Sequence, residues 1–413
     1  MPIPLISDDK GNISFDHRLK ATGMEGGRVF RLDRSGLIKL PAGSRLFMLP
    51  SRQAVGYDQI SGKIMPIESS LAVAASLAPG YTATYSAAYR PIGRPKQLPL
   101  FSYAAVSAYK GELYTPAILV DNDKRHDCRY IDITVVRKKI LKFSKLMPKN
   151  RLIGHLKTCA LIHGCPNAQN FFLSRYEAPL PVSQSCNATC LGCISFQHYK
   201  RCPASQPRIR FAPTAEEVMG IALFHIENVR QPIVSFGQGC EGEPLLQDDL
   251  IAKTIALIRK ETSKGTIHMN TNGSRPDALA RLLDAGLDSV RISLNSARES
   301  YYRRYYRPRG YAFGDVMDSI SASKKKGAFV SINYLTMPGF TDTVNEFKAF
   351  KRLVLECKVD MIQWRNLNYD PLAYFKELDS WPKSAELLGI KTVIDSLSKE
   401  LPSIRMGYFN PAL

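Results

Sequence analysis

The sequence lacks any hydrophobic run of the length that a membrane helix needs. Its best candidate, SLAVAASLA at 70–78, falls well short of the roughly 18 residues required. The opening residues, MPIPLISDDKGN, also lack the basic and apolar segments of a secretory signal. We therefore expect a cytoplasmic protein that has no membrane partner.

Acidic residues are scarce relative to basic ones. The chain of 413 residues has 37 Asp and Glu against 56 Lys and Arg, a formal net charge of +19. This balance makes nucleic acid a candidate partner, although a diffuse basic surface would give the same count. The run SYYRRYYRPRGY (300–311) mixes arginines with five tyrosines, which suits either base stacking or a helix with a solvated basic face.

Internal repeats and low-complexity tracts are also absent, and the composition is that of a folded globular protein. The length indicates two to three domains. Short strand-like runs separated by Gly, Pro, Asn and Asp predict that the chain begins with a β-rich region. The predicted divisions are a β-rich N-terminal domain at 1–128, a helical basic linker with Cys159 and Cys165 at 129–176, an α/β core at 177–370 and a helical tail at 371–413.

The α/β core is predicted from strands that alternate with helices. This alternation indicates parallel β/α units with right-handed crossovers. Six such units make a partial (β/α)6 barrel, in which chemistry collects at the C-terminal ends of the strands. The predicted strands lie at 177–183, 232–237, 265–271, 288–295, 328–335 and 360–366.

Nine cysteines, an odd number in a protein expected in the cytoplasm, indicate free thiols or metal ligands rather than disulfides. Cys186, Cys190 and Cys193 follow the first predicted strand with the spacing C-x3-C-x2-C. This spacing lets three thiolates converge on one inorganic core, and thiolate is the soft ligand that iron–sulfur clusters and zinc select. The alternatives are a structural zinc site, with His198 or Cys202 as fourth ligand, and three unligated cysteines.

These three cysteines match the signature of the radical S-adenosylmethionine (radical SAM) superfamily, which the chain resembles over roughly residues 177–370. The resemblance implies that the cysteines hold three irons of a 4Fe-4S cluster and that the fourth iron binds the amino and carboxylate groups of SAM. It also implies a fold of radical SAM type, a partial (β/α)6 barrel, here preceded by the β-rich domain.

A second motif, FGQGCEGEPLL (236–246), is similar to the Gly-Gly-Glu-Pro segment of that family. The resemblance implies that Gly242, Glu243 and Pro244 contact the methionine amino group of SAM. The chemistry is suitable, because glycine permits close approach and a carboxylate can pair with an ammonium. Glu241 stands where the family has its first glycine, which puts the local backbone in question, and an ordinary glycine-rich loop is the alternative.

Polar side chains end three further predicted strands, as a polar ligand over a barrel mouth requires. The resemblance implies that these strand tips contact the ribose and carboxylate of SAM, or the substrate. Turn or cap residues are the alternative reading. The residues concerned are Asn270, Thr271, Asn272, Ser293, Asn295, Gln363 and Arg365. One departure from the family is Gly192, which replaces the usual bulky residue before the third cysteine and leaves Phe196 as a candidate to pack against adenine.

The remaining cysteines suggest further sites. Cys128, Cys159, Cys165 and Cys202 are candidate ligands of an auxiliary iron–sulfur cluster or a mononuclear metal, with scattered buried cysteines as the alternative. Cys240 lies beside the predicted SAM loop. We predict that it is catalytic, as a hydrogen-atom donor or radical trap, although a small packing residue is the competing interpretation.

The resemblance implies an enzyme that reductively cleaves SAM to a 5′-deoxyadenosyl radical. This radical would abstract hydrogen from a protein, peptide or small-molecule substrate. Such an enzyme needs an electron donor such as flavodoxin or ferredoxin. An RNA-modifying radical SAM enzyme and a non-catalytic, zinc-binding basic protein are the alternative functions, and the β-rich N-terminus lacks the βα alternation of a cobalamin domain.

Overall fold

A computed structural model describes residues 1–198, 202–382 and 386–413 of the protein. Antiparallel strands occupy the N-terminal part of the chain, three helices follow, and a parallel sheet with flanking helices completes it. None of the helices in the described part of the chain combines the length and apolar character that crossing a bilayer requires.

The N-terminal region is built around a long antiparallel hairpin. Its two strands have 14 residues each, and Asp58 closes the turn by accepting hydrogen bonds from the backbone N–H groups of Ile60 and Ser61, both at 3.1 Å. This hairpin lies inside an eight-stranded sheet of order β10-β6-β7-β1-β11-β12-β5, with β2 paired to β1. The strands are β1 (Ile3–Ser7), β2 (Ile13–Phe15), β3 (Thr22–Glu25), β4 (Arg28–Arg31), β5 (Ile38–Lys39), β6 (Arg45–Asp58), β7 (Lys63–Ser76), β8 (Tyr81–Ala83), β9 (Ser86–Ala87), β10 (Tyr89–Pro91), β11 (Ser107–Tyr109), β12 (Glu112–Thr115) and β13 (Ala117–Leu119).

Three helices connect this region to the parallel sheet. Asp132 caps the first of them, accepting from the N–H of Thr134 at 2.7 Å, and Asn150 caps the second. Apolar residues spaced by three and four place Phe143 in the core, where its ring packs 4.6 Å from that of Phe224. The helices are α1 (Ile133–Leu146), α2 (Arg151–Leu161) and α3 (Pro166–Phe172).

Seven parallel strands in sequence order form the second sheet, β14-β15-β16-β17-β18-β19-β20. Six of them correspond to the predicted strands, so the partial barrel of parallel β/α units is confirmed. The seventh comes from the C-terminal tail, where the sequence analysis anticipated helix only. The strands are β14 (Glu177–Pro179), β15 (Ile233–Phe236), β16 (Thr266–Thr271), β17 (Ser289–Leu294), β18 (Phe329–Thr336), β19 (Met361–Asn366) and β20 (Arg405–Gly407).

The helices between these strands begin at recognisable caps. Thr214 accepts from the N–H of Glu217 at 3.2 Å, and the Glu217 carboxylate accepts from the N–H of Thr214 at 2.9 Å. Asp370 caps another helix by accepting from the N–H of Leu372 at 3.0 Å. The helices are α4 (Ala215–Asn228), α5 (Asp248–Glu261), α6 (Pro276–Asp284), α7 (Glu299–Tyr306), α8 (Phe313–Lys325), α9 (Val344–Glu356), α10 (Pro371–Leu378) and α11 (Ile390–Glu400), with short 3-10 helices at Arg34–Gly36, Cys128–Tyr130 and Pro244–Gln247.

A buried ion pair joins the antiparallel region to the parallel one. Arg52 on β6 donates to the Asp370 carboxylate at 2.6 Å, and the two side chains are 1% and 2% exposed. The same carboxylate accepts from the N–H of Leu98 at 3.0 Å. Because both charges are removed from water, each side chain needs the opposite charge of its partner to be stable in the folded protein.

Replacing Asp370 with asparagine tests this junction. Asp370→Asn retains the shape and the helix cap but leaves the buried guanidinium of Arg52 without its anion. Such a loss costs about 3–5 kcal/mol, so we expect unfolding at a clearly lower denaturant concentration. Asp395→Asn is the matched control, since Asp395 pairs with Lys391 on an exposed helix face. Equal denaturation midpoints for both variants would contradict the assigned role.

Candidate active site

The loop that carries Cys186, Cys190 and Cys193 follows β14 and is fixed by backbone hydrogen bonds. The N–H groups of Thr189 and Leu191 donate to the carbonyls of Tyr306 and Tyr305, both at 3.0 Å. The N–H of Arg309 donates to the carbonyl of Asn187 at 2.8 Å. The end of α7 and the residues after it therefore hold the cysteine loop in place.

Three of the five tyrosines in the run 300–311 lie beneath the cysteine loop and help to hold it. Tyr302, Tyr305 and Tyr306 are buried, and the rings of Tyr302 and Tyr306 stack with centroids 4.5 Å apart. They are therefore not available to stack on nucleic-acid bases. Tyr305 also explains Gly192, because a Cβ at that glycine would lie 2.7 Å from the Tyr305 hydroxyl. An aromatic side chain from α7 thus occupies the space beside the residue that precedes the third cysteine.

The three thiols fit a polynuclear cluster better than a single ion. Two sulfurs bound tetrahedrally to one zinc lie about 3.8 Å apart. Among the residues that the structure describes, Cys186, Cys190 and Cys193 do not form a group whose ligand atoms all lie within 4.8 Å of one another, so at least one pair of their sulfurs is farther apart than that. The Arg208 guanidinium lies 3.6 Å from the Cys193 sulfur and supplies positive charge beside the thiolates that a cluster requires.

Burial shapes the chemistry of these thiols. It raises the pKa of Cys186 to about 11 and that of Cys190 well above its ordinary value. A metal core must therefore displace protons as it binds.

A cavity of about 560 Å³ lies at the C-terminal ends of the parallel strands. Cysteines of the loop and most of the predicted strand-tip residues border it, which puts thiol donors and polar groups around one space. The predicted residues that line it are Cys186, Cys190, Gly242, Glu243, Pro244, Asn270, Thr271, Asn272, Ser293 and Arg365. A larger, open groove lies at the opposite, amino ends of the strands, away from the cysteines.

The Gly242 loop and the segment before the first cysteine run against each other. The N–H of Gly242 donates to the carbonyl of Ser183 at 2.7 Å, and that of Glu243 donates to the carbonyl of Ser185 at 2.8 Å. A Cβ at Gly242 would lie 1.8 Å from the Ser185 oxygen. This contact requires glycine and couples the loop directly to Cys186.

Glu241 resolves the question about the backbone at this position. Its carboxylate accepts four backbone hydrogen bonds, from Gly237 and Gln238 at 2.6 and 2.7 Å and from Val182 and Ser183 at 2.8 and 3.0 Å. Burial raises its pKa to about 7 despite these donors. The residue that replaces the family's glycine therefore joins two loops, a role that sequence spacing does not reveal.

Glu243 organises the tip of β16. Its carboxylate accepts from the N–H groups of Leu245 and Asn272, at 3.1 and 2.9 Å, and from the Thr271 hydroxyl. Burial raises its pKa to about 7. With three donors already bound, the carboxylate retains capacity for one further donor, since it has about four acceptor positions.

Two of the predicted ligand-binding residues lie outside the cavity lining. The Asn295 amide donates to the Tyr374 hydroxyl at 3.2 Å, within the core. Gln363 accepts from Arg291 at 2.8 Å and donates to the Asn410 side chain at 3.1 Å. Both residues are fully buried. Gln363 therefore holds Arg291 and Asn410 at the cavity wall, and Asn295 belongs to the core.

Charged side chains missed by sequence reasoning form the inner wall of the cavity. Glu177 accepts from Asn410 at 3.0 Å and lies 3.8 Å from Arg125. Burial opposes its ionisation, but electrostatic interactions with His268 and Arg125 hold the pKa of Glu177 below its ordinary value. Arg291 also lines the cavity, and burial lowers its pKa to about 9. Both lie within predicted strands, where inward-facing charge gives no separate sequence signal.

The four predicted auxiliary cysteines do not assemble as one group in the described structure. Cys128 is exposed, and Cys202 is buried near the side chains of Gln97 and Gln197, at 3.5 and 3.7 Å. Cys159 instead lies close to His155 and Cys240. The N–H of Cys165 donates to the Cys159 carbonyl at 2.9 Å. The predicted ligand set is therefore divided, because Cys128 and Cys202 have separate surroundings.

Cys240 lies behind the loop that lines the cavity. Its neighbours Gly239 and Gly242 border the cavity, whereas its own side chain is 3% exposed and lies within 4.8 Å of the Cys159 sulfur. Hydrogen bonding from Cys240 and His155 lowers the pKa of Cys159 to about 5, although burial opposes this. The predicted catalytic role of Cys240 is therefore not favoured by its position.

Comparison with known proteins supports the reading of the cysteine motif. Residues 180–353 match the model of the radical SAM superfamily. The FeMo cofactor biosynthesis protein NifB of Klebsiella pneumoniae is 25% identical over 178 residues, which is 40% of this chain and 38% of that protein. Molybdenum cofactor biosynthesis protein 1 of Bos taurus is 25% identical over 230 residues, 54% of this chain and 32% of that protein.

A further relative is the dual-specificity RNA methyltransferase RlmN of Oleidesulfovibrio alaskensis, 28% identical over 127 residues, 29% of this chain and 35% of that protein. The matched stretches thus span about a third of these relatives' own lengths. Among solved structures, methylornithine synthase is 15% identical over 57% of this chain and 65% of that one, with a TM-score of 0.39.

The close contact at Gly242 makes a testable prediction. In Gly242→Ala the new methyl group overlaps the Ser185 carbonyl, so the loop must move away from Cys186. We expect a lower thermal midpoint and loss of most iron after anaerobic reconstitution. Gly314→Ala, on α8 with open space at its Cβ, should keep the parent's iron content and melting temperature. Parent-like behaviour of Gly242→Ala would refute the contact.

Proposed function

We propose that this chain, whose residues 180–353 match the model of the radical SAM superfamily, generates a 5′-deoxyadenosyl radical by reductive cleavage of SAM and uses it to abstract hydrogen from a substrate. The observation that carries this proposal is the shared cavity. The cysteine loop, the Gly242–Pro244 segment and the tip of β16 all border the same space of about 560 Å³.

Cys186, Cys190 and Cys193 are the proposed holders of a 4Fe-4S cluster, which supplies the electron for SAM cleavage. The separation of at least one sulfur pair by more than 4.8 Å and the neighbouring Arg208 support this assignment over a single zinc ion. The chain's own contribution is to orient and shield. Backbone hydrogen bonds fix the cysteine loop on α7, and the buried tyrosines beneath it limit access of water.

SAM is proposed to lie along Glu243, Asn270, Asn272 and Ser293, which line the cavity beside the cysteines. The remaining acceptor position of the Glu243 carboxylate suits the SAM ammonium. Thr271 and the N–H of Asn272 hold that carboxylate in place before SAM binds. Such preorganisation reduces the ordering that binding must impose.

The substrate is proposed to be polar and small enough to share the cavity with SAM, either as a small molecule or as one side chain of a peptide or protein. Glu177, Arg291 and Arg365 line the cavity and offer both signs of charge. Charged groups that line a cavity in this way favour a ligand that pairs with them over a hydrocarbon. An electron donor such as flavodoxin or ferredoxin is the proposed redox partner.

RNA modification is less well supported. The relative named as an RNA methyltransferase and the net charge of +19 favour it, but the tyrosines at 302, 305 and 306 are buried rather than placed for base stacking. The zinc-binding alternative is disfavoured by the spread of the three sulfurs.

The cluster assignment predicts a change in iron content. The triple variant Cys186→Ala, Cys190→Ala, Cys193→Ala should lose about four irons per chain relative to the parent after anaerobic reconstitution. Iron and sulfide analysis measures the loss. Cys357→Ala is the control, since Cys357 caps the far end of α9 and should leave the iron content unchanged. Unchanged iron in the triple variant would exclude the assignment.

The proposed pairing of Glu243 with SAM predicts weaker binding in Glu243→Gln. A hydrogen bond to a charged group contributes on the order of 1.5–3 kcal/mol, so SAM affinity should fall about tenfold or more. Equilibrium binding to the reconstituted protein measures it, and iron content should stay constant because Glu243 holds no iron. Glu216→Gln, at an exposed pair with Lys253, is the control. Parent-like affinity in Glu243→Gln would mean that SAM is held by other groups.

A further inference from the structure

We propose that His155, Cys159 and Cys240 form a binding site for a single zinc ion, separate from the cysteine loop at 186–193. The site joins helix α2 to the loop that follows β15. These three are the only Cys, His and carboxylate groups in the described part of the chain whose ligand atoms all lie within 4.8 Å of one another.

The distances match a mononuclear site. A tetrahedral zinc with nitrogen at about 2.0–2.1 Å and sulfur at about 2.3 Å separates these two ligand atoms by about 3.6 Å. The His155 Nε2 and Cys159 Sγ atoms are 3.6 Å apart. A four-iron cluster would need more space, because each sulfur binds a different iron.

The fold places all three ligands independently of any ion. His155 and Cys159 are four residues apart on α2, so both project from one face of the helix. Cys240 comes from the loop after β15, and its carbonyl accepts from the N–H of Ile209 at 2.8 Å. Two ligands from a helix and one from a fixed loop give a partly preformed site.

The chemistry and burial of the ligands favour zinc. Two sulfurs and an imidazole nitrogen are the donors that structural zinc sites use, and the set contains no carboxylate. Cys159 and Cys240 are 2% and 3% exposed, while His155 is half-buried and leaves one approach for the ion. The N–H of Cys165 donates to the Cys159 carbonyl at 2.9 Å, which makes the Cys165 thiol the candidate fourth ligand.

The position of the site gives it a structural consequence. Cys240 directly precedes Glu241 and lies two residues before Gly242, the glycine packed on Ser185. An ion at Cys240 would therefore fix the same loop that borders the cavity. This inference does not depend on the proposed function, because metal can be measured in a protein that lacks the three cysteines at 186, 190 and 193.

The test begins with that triple alanine variant, purified without added metal and analysed for zinc, iron and sulfide by mass spectrometry and colorimetry. We expect about one zinc per chain and no sulfide. Introducing Cys159→Ser together with Cys240→Ser should remove the zinc, whereas Cys357→Ser should not. A folded triple variant without zinc would overturn the proposal, and so would zinc that persists after both serine substitutions.

Cobalt provides a readout that reports the ligands themselves. Co²⁺ added to the zinc-free triple variant should give thiolate-to-metal charge-transfer absorption and the intense visible bands of a tetrahedral ion. His155→Gln should change the visible bands, and Cys159→Ser should reduce the charge-transfer band, while circular dichroism checks that each variant is folded. Absence of these bands in the folded protein would overturn the proposal. A Cys159–Cys240 disulfide detected by non-reducing peptide mapping in freshly purified protein would do the same.

Discussion

The backbone of Gly242 lies against the backbone of Ser183–Ser185 at a separation that no side chain could occupy, and the rest of the site depends on this contact. It brings the loop after β15 to the residue that precedes Cys186. The Glu241 carboxylate holds both segments through four backbone N–H groups. These hydrogen bonds hold the loop after β15 against the segment that precedes Cys186. The thiols and the strand tips can therefore border one cavity.

Two features lie next to this contact and support it. Buried tyrosines of α7 hold the cysteine loop from below. The proposed zinc site would fasten Cys240, next to Glu241, to helix α2. Elsewhere in the fold, the buried ion pair between Arg52 and Asp370 attaches the antiparallel region to the helix that follows β19. The site is thus built from distant parts of the chain, and its geometry follows from tertiary packing.

The features that could be predicted are those encoded by patterns between residues close in sequence. The alternation of strands and helices predicted the parallel sheet, and the cysteine spacing predicted the superfamily whose model residues 180–353 match. What escaped prediction depended on contacts between distant segments. Glu241 was unexplained because its four partners lie on two loops, and Asn295 was expected in the cavity because a strand tip does not reveal which way its side chain turns. The proximity of Cys159 and Cys240 likewise arises only when α2 and the loop after β15 meet in the fold.

The central claim is that this architecture cleaves SAM reductively. The most direct measurement is anaerobic incubation of the reconstituted protein with SAM and a chemical reductant, followed by quantification of 5′-deoxyadenosine and methionine. We predict equal amounts of both products from the parent protein and none above background from the variant lacking the three cysteines at 186, 190 and 193. Failure of fully reconstituted, reduced protein to form 5′-deoxyadenosine, with or without candidate substrates, would contradict it.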